Sequence, residues 1–157
     1  MDDAAAWIRT LDANLGLLKR QVDGVEDEGA LRPLFEGGSS LNWMVGHLVA
    51  SRDAMLRTAG ADPLGDASIR ERYDYGTTAP EAETATDLGT LLDLLTKQGE
   101  RLSERLPELD EAALAAPSGM GDADRHRYLT FMVWHETYHL GQAVLYRRAL
   151  GLDSPIG

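Results

Sequence analysis

Hydrophobic residues recur along the chain at steps of three and four, the spacing that places them on one face of an α-helix. The first such run comprises Trp7, Leu11, Leu15, Leu18, Val22 and Val25. A later run from about Ala85 to Leu106 carries a stripe of leucines and ends at Pro107. The sequence contains no strand-length alternation of β-branched residues. This pattern predicts an all-α chain.

Two further helical segments bring the number of long helices to four. One begins at Ser39–Ser40, which suit an N-cap, and ends at Gly60, while the last runs from near Asp122 to Gly151. A connection of roughly twenty residues follows Gly60, and a loop of that length usually carries function or crosses the fold. We therefore predict a four-helix bundle with long crossover connections, in one domain over residues 1–157.

Composition excludes several classes of protein. The 157 residues contain no cysteine, which rules out disulfides, thiolate metal sites and a cysteine nucleophile. The net charge of −11 argues against nucleic-acid binding, which needs a basic surface. The N-terminal sequence lacks a basic and apolar leader, and no apolar run is long enough for a membrane span. We expect a cytoplasmic protein that binds neither nucleic acid nor membrane.

Two histidines lie on the apolar face of the last helix. His135 and His139 are one turn apart and separated by about 40° around the axis, so both rings can reach one point. The same face carries Tyr128, Phe131, Met132, Ala143, Tyr146 and Leu150. Two imidazoles in a core need partners for their nitrogens, which either a metal ion or ordinary hydrogen bonds can supply.

A third histidine favours the metal. His47 lies on the flank of the second helix's apolar stripe and can face a neighbouring helix. Three histidines from two helices leave a coordination position open, as in catalytic metal sites. His126 lies on the opposite side of the last helix from His135, and we predict a solvated residue without a role.

The segment HETYH also matches the zincin pattern, in which two histidines bind zinc and the glutamate is a general base. The extended form of that pattern requires Gly and His at positions occupied here by Gln142 and Leu145, so a zincin peptidase is not predicted. Glu136 is retained as a weak catalytic candidate. The alternative, which we favour, is a carboxylate at the bundle edge that pairs with Arg147 or another arginine.

The segments SLNWMVGHLVASRDAMLR and HETYHLGQAVLYRRALG resemble the DinB/YfiT-like family of metal-dependent enzymes. The resemblance implies a four-helix bundle, a divalent metal (zinc or nickel) held by His47, His135 and His139, and frequently a homodimer. It also aligns the family's "H-x-G-Q" continuation with His139, Gly141 and Gln142. Some relatives are transferases or isomerases that use a low-molecular-weight thiol, and the family name derives from damage-inducible genes.

Weaker candidates surround the histidines. Asn42, Ser51 and Gln142 are candidate substrate-binding residues, and Trp43, Trp134 and Tyr138 are candidates for the mouth of a pocket. Arg52, Arg57, Arg147 and Arg148 are candidates for attracting an anionic thiol. Val133, Leu140 and Val144 form an apolar outer strip on the last helix, which is either covered within the monomer or used in a homodimer.

The function predicted from the sequence is transfer of a low-molecular-weight thiol to a small electrophilic substrate, with a divalent metal as cofactor. The chain has no sulfur nucleophile of its own, so the thiol must diffuse in. Two alternatives stay open: a metal-dependent hydrolase, and a stress-associated metal-binding protein without enzymatic activity. An open, partly polar pocket at the metal distinguishes the enzymes from the non-enzymatic protein.

Overall fold

The computed structural model describes residues 3–155, which form seven α-helices and no β-strand. The helices are α1 (Asp3–Val22), α2 (Asp27–Ala30), α3 (Leu41–Thr58), α4 (Ala67–Tyr73), α5 (Leu88–Arg105), α6 (Glu111–Ala115) and α7 (Arg125–Ala149). The first two and last two positions of the predicted domain lie outside the described residues. None of the described helices is long and apolar enough to cross a membrane.

Side-chain caps fix the starts of three long helices. Ser40 accepts a hydrogen bond from the backbone N–H of Trp43 at 3.2 Å, as predicted for α3. Asp87 caps α5 in the same way, so that helix begins at Leu88 rather than near residue 85. Asp124 caps α7, which begins at Arg125 rather than near residue 122. Short polar side chains that accept hydrogen bonds from the backbone therefore set helix starts that differ from the predicted ones.

The four long helices form a bundle in which α1 and α3 each pack against both α5 and α7. It follows that α1 lies diagonally across from α3, and α5 diagonally across from α7. The connections from α1 to α3 and from α5 to α7 therefore cross the bundle. The longest connection, from α3 to α5, joins neighbours instead. Part of it folds as α4, a helix that the sequence analysis did not predict.

One buried arginine contacts all four long helices. Arg52 of α3 donates two hydrogen bonds to the carboxylate of Glu136 on α7, both 2.8 Å long. It also donates to the backbone carbonyl of Leu95 on α5 and of Leu11 on α1. The prediction that Glu136 lies at the bundle edge is wrong, although it does pair with an arginine. Arg52 is likewise buried and is not available to attract an anionic substrate.

Close backbone contact holds α4 against α3. A Cβ atom at Gly46 would lie 2.3 Å from a ring carbon of Tyr73, so only glycine lets this aromatic ring reach the helix backbone. The hydroxyl of Tyr73 donates to the side-chain oxygen of Asn42, and Asn42 in turn donates to the carbonyl of Thr86. These contacts fix the end of α4 beside the first half of α3.

The apolar outer strip predicted for a dimer is mostly covered within the monomer. Val133 and Leu140 are buried against the two hydrophobic clusters of the core, and Val144 is half-buried. The exposed apolar residues of α7 lie elsewhere on the helix. They are Phe131, Trp134, Tyr138 and Leu145.

Candidate metal centre

His47, His135 and His139 converge where α3 meets the second half of α7. Their potential ligand atoms all lie within 4.8 Å of one another. The Nε2 atom of His135 is 3.0 Å from that of His139 and 3.4 Å from that of His47. No other histidine or acidic residue of the described chain joins this cluster. The geometry thus brings together the three predicted ligands.

Two of the three imidazoles are oriented by carbonyl oxygens. The Nδ1 atom of His47 is 2.9 Å from the backbone carbonyl of Tyr73, and that of His139 is 2.8 Å from the side-chain carbonyl of Gln142. Because a carbonyl only accepts, both Nδ1 atoms carry the proton. Each Nε2 atom therefore directs a lone pair at the common centre.

The third imidazole makes the centre electron-rich. The Nδ1 atom of His135 is buried and has no hydrogen-bond partner among the described residues. If a proton sits on its Nε2 atom, it can satisfy the lone pair of only one neighbouring histidine. Closely spaced lone pairs without enough donors are unfavourable in a buried site, and a cation removes the conflict.

Two of the three nitrogen–nitrogen separations fit a divalent ion. With metal–nitrogen bonds of 2.0–2.1 Å, two ligands are about 3.4 Å apart in a tetrahedral site and about 3.0 Å apart when they meet at a right angle. The two separations of 3.0 and 3.4 Å fall at these values. Three neutral imidazoles are a donor set that suits transition metals.

Burial keeps the three rings neutral. Desolvation lowers the pKa of His47 and of His139 below the ordinary value of 6.5. The pKa of His135 falls to about 4, because of burial first and repulsion by the other two histidines second. A neutral imidazole is the form that binds a metal, so this environment favours ligation near neutral pH.

Aromatic rings enclose the centre on several sides. The ring of Trp43 stacks on His47 with a centroid distance of 4.8 Å, and Phe131 stacks on His135 at 5.8 Å. Tyr138 meets the ring of His139 edge-on at 5.3 Å. Trp134 contacts the rings of Phe131 and Tyr138. Trp43 and Tyr138 thus contact the histidine rings, whereas Trp134 contacts only Phe131 and Tyr138 among these residues.

A cavity of about 500 Å³ reaches the histidines along the groove between α3 and α7. His47 and His135 form part of its wall, and Ser51 lines it as the sequence analysis predicted. The volume is in the range of small-molecule sites. The centre is therefore open to a ligand on one side.

Several predicted site residues have structural contacts instead. Asn42 uses its amide and its side-chain oxygen within the fold, and Gln142 holds the ring of His139. Both carboxylate oxygens of Glu136 are bound by Arg52 rather than directed at the histidines. Arg147 donates to backbone carbonyls near the end of α1 and of the chain. These residues position other groups.

His126 is partly solvated, as predicted, with 43% of its side chain exposed. Its Nε2 atom lies 3.0 Å from a carboxylate oxygen of Asp3, and its ring contacts Trp7. It therefore also links the starts of α1 and α7. It lies outside the cluster of three histidines.

The sequence analysis missed three residues of the long connection that matter to this site. They are Tyr73, which binds His47 through its backbone, and Arg70 and Asp74, which line the cavity. A backbone carbonyl leaves no trace in a sequence. The only available signal was the unusual length of the connection itself.

Comparisons with known proteins agree with this geometry. The family model described as "DinB superfamily" matches residues 10–143. A protein of Geobacillus thermodenitrificans described as a "putative metal-dependent hydrolase" is 28% identical over 155 residues, which cover 96% of this chain and 87% of the relative.

Two solved structures are similar in fold, each with a TM-score of 0.72 and 19% identity. One is a conserved protein of Enterococcus faecalis, with 95% of this chain and 97% of that chain covered. The other is YfiT of Bacillus subtilis, with 98% and 91% covered, which is described as a "probable metal-dependent hydrolase with an unusual four-helix bundle topology". The predicted four-helix bundle is confirmed.

Proposed function

The chain belongs to the DinB superfamily, and from this membership we propose that it is a divalent-metal-dependent enzyme whose metal is held by His47, His135 and His139. The observation that carries the proposal is that the nitrogens of three histidines converge, and that two of these histidines, His47 and His135, line a cavity large enough for a small molecule. A dry, closed bundle would instead suit the non-enzymatic alternative. Zinc and nickel both accept a set of imidazole ligands.

The residues of the chain have distinct tasks in this proposal. The three histidines bind the ion through Nε2, while the carbonyls of Tyr73 and Gln142 hold two of the rings in the tautomer that ligation requires. The rings of Trp43 and Phe131 stack on His47 and His135 and provide apolar contacts to the two imidazoles. When bound, a divalent ion supplies Lewis-acid chemistry that lowers the pKa of a coordinated water or thiol.

Of the two reactions, we favour transfer of a low-molecular-weight thiol to an electrophile. In this reaction a carbon–sulfur bond forms, the bond to the leaving group breaks, and the thiol proton passes to solvent or to the leaving group. The supporting observation is the position of Glu136, whose two oxygens are both bound by Arg52. No carboxylate of the described residues joins the cluster of three histidines, although Asp74 lines the same cavity.

Hydrolysis is the second candidate, and the relative from Geobacillus thermodenitrificans supports it through its description as a metal-dependent hydrolase. The experiment is a kinetic comparison on metal-loaded protein, using a panel of electrophiles and of esters with and without added thiol. Thiol transfer predicts turnover that requires thiol and is lost in His47→Ala but kept in His126→Ala. Ester cleavage without thiol, lost in the same variant, would establish hydrolysis instead. Full metal occupancy without either activity would favour the non-enzymatic protein.

We also propose that the protein forms a homodimer through the exposed aromatic strip of α7, which we define as Phe131, Trp134 and Tyr138. These side chains are 51%, 58% and 53% exposed, and successive rings lie 5.7 and 5.8 Å apart. A continuous apolar strip of this kind is uncommon on a monomer and is typical of an interface.

A further inference from the structure

The charged residues of the cavity distinguish its two ends. Arg57, Arg70 and Asp74 are the charged side chains that line it, two of them positive in a protein with a net charge of −11. Neither arginine forms a salt bridge or a hydrogen bond through its side chain with any residue in the described range 3–155. Two arginines without partners thus face one cavity.

Asp74 offsets only one of these charges. It follows Arg70 by four residues at the end of α4, so the two side chains project from the same side of the chain. Asp74 directly follows Tyr73, whose backbone carbonyl contacts His47, so the negative group lies near the metal end of the cavity. Two positive charges and one negative charge leave the lining with a net positive charge.

Arg57 lies at the end of the cavity remote from the histidines. It follows His47 by ten residues along α3, which corresponds to about 15 Å at the rise of an α-helix. On the facing helix, Tyr128 precedes His135 by two turns and lines the same cavity as Arg57. Burial raises the pKa of the Tyr128 hydroxyl, the positive charge of Arg57 opposes that rise, and the negative charge of Asp74 adds to it. The cavity therefore runs lengthwise between α3 and α7.

The walls between the two ends are mainly apolar, although the hydroxyl-bearing side chains of Ser51, Thr58 and Ser118 also line the cavity. Ala50 and Ala54 are one turn apart on α3, and their small side chains leave space for the groove. Met132 and Phe131 of α7 and Met120 of the preceding connection line the other side. Such walls favour a hydrocarbon or aromatic body and offer few groups for hydrogen bonds along its length.

We propose that the cavity binds an elongated substrate with an apolar body, a reacting group at the three histidines and a single negative charge that pairs with Arg57. This inference rests on the proposed metal site, because it orients the substrate relative to that site. A monoanion such as a carboxylate matches a lining with two positive charges and one negative charge. Asp74 opposes the reverse orientation, since it would repel an anion at the metal end.

The test uses two metal-binding hydroxamates of equal chain length. Octanohydroxamate ends in a methyl group, and the monohydroxamate of octanedioic acid ends in a carboxylate. Each is titrated calorimetrically into zinc-loaded protein. We expect the carboxylate-ended probe to bind about tenfold more tightly, as a charge-assisted pair with arginine implies. The preference should disappear in Arg57→Gln and persist in Arg20→Gln, an exposed arginine outside the cavity.

Equal affinity of the two probes for the wild-type protein overturns the inference, as does a preference that survives Arg57→Gln or failure of both probes to bind zinc-loaded protein. Zinc content is measured separately and tests the proposed function alone. If the protein takes up no zinc, the metal site fails, and octanoate is compared with octanamide on the metal-free protein. A wild-type preference for octanoate that is lost in Arg57→Gln then supports the anion site. If the wild-type protein shows no preference for octanoate, the inference is overturned.

Discussion

Arg52 and Glu136 form a bidentate ion pair inside the bundle, with both nitrogen–oxygen distances at 2.8 Å. Their side chains are only 1% and 5% exposed. Gly99 makes room for this pair, since a Cβ there would lie 2.9 Å from a guanidinium nitrogen. The glutamate of the HETYH segment is thus part of the core one residue away from a candidate metal ligand.

Removing the charge of Glu136 is expected to destabilise the fold. Glu136→Gln keeps the shape but leaves the guanidinium of Arg52 buried without a counter-ion, which costs about 3–5 kcal/mol. Urea unfolding measures the change in the free energy of unfolding. Glu104→Gln is the matched control, because Glu104 pairs with Arg101 on the surface and its loss should change little. A comparable loss in both variants would contradict the assignment.

Metal content should depend on the histidines of the cluster, His47, His135 and His139, and not on the fourth histidine, His126. Elemental analysis of untagged protein is expected to find about one divalent ion per chain. His139→Ala should lose most of it, because one of three protein ligands disappears. His126→Ala should retain it, since that ring pairs with Asp3 far from the cluster. Equal retention of metal in both variants would contradict the assignment of the metal site.

Gln142 is expected to act on the metal through His139. Gln142→Ala removes the acceptor for the Nδ1 proton of His139, which should weaken metal binding about 10–100-fold while the fold is kept. Gln142→Glu keeps an acceptor at the same place and should restore most of the affinity. Competition with a chelator of known affinity gives the dissociation constants. Unchanged affinity in Gln142→Ala would show that the contact does not orient the ring.

Stability of the metal-free protein should decrease as the pH falls from about 6.5 toward 4. Burial, and then repulsion by the other two histidines, lowers the pKa of His135 from its ordinary value of 6.5 to about 4 in the folded protein. Between these values the unfolded chain binds a proton that the folded chain does not, so the free energy of unfolding rises with pH. Urea unfolding in chelator across this range measures the slope. His135→Gln should flatten it, and an identical slope in that variant would contradict the assignment.

The aromatic strip of α7 should determine the oligomeric state. Light scattering on the wild-type protein is expected to give twice the chain mass of 17.1 kDa. Trp134→Glu places a charge in the middle of the strip and should produce monomers. Leu64→Glu, at an exposed apolar residue outside α7, is the control and should stay dimeric. A wild-type monomer at micromolar concentration would exclude the interface.

Periodic hydrophobic positions were sufficient to predict the four long helices, and helical spacing predicted that the three histidines cluster. His135 and His139 are local in sequence, so helical geometry alone brings them together, and His47 required only that α3 face α7. The position of Glu136 was not predictable in the same way. Its partner Arg52 is 84 residues away, and its burial depends on which diagonal of the bundle each helix occupies.

The sequence left open whether the strip of Val133, Leu140 and Val144 is covered within the monomer or used in a homodimer. Val133 and Leu140 are buried within the monomer. In the structure α7 contacts α1 as well as α3, so two of its faces are buried. A helix in a bundle with crossing connections has more than one neighbour, and its hydrophobic periodicity does not show which helices those neighbours are.

His47 and His135 are separated by 88 positions along the chain. An ion held by both would close a loop that includes α4, α5 and α6, in the manner of a cross-link. In the chain-entropy model a closure of that length restricts the unfolded ensemble by roughly 4–5 kcal/mol. Since the sequence contains no cysteine, the ion that serves the chemistry would also be the protein's one reversible substitute for a disulfide.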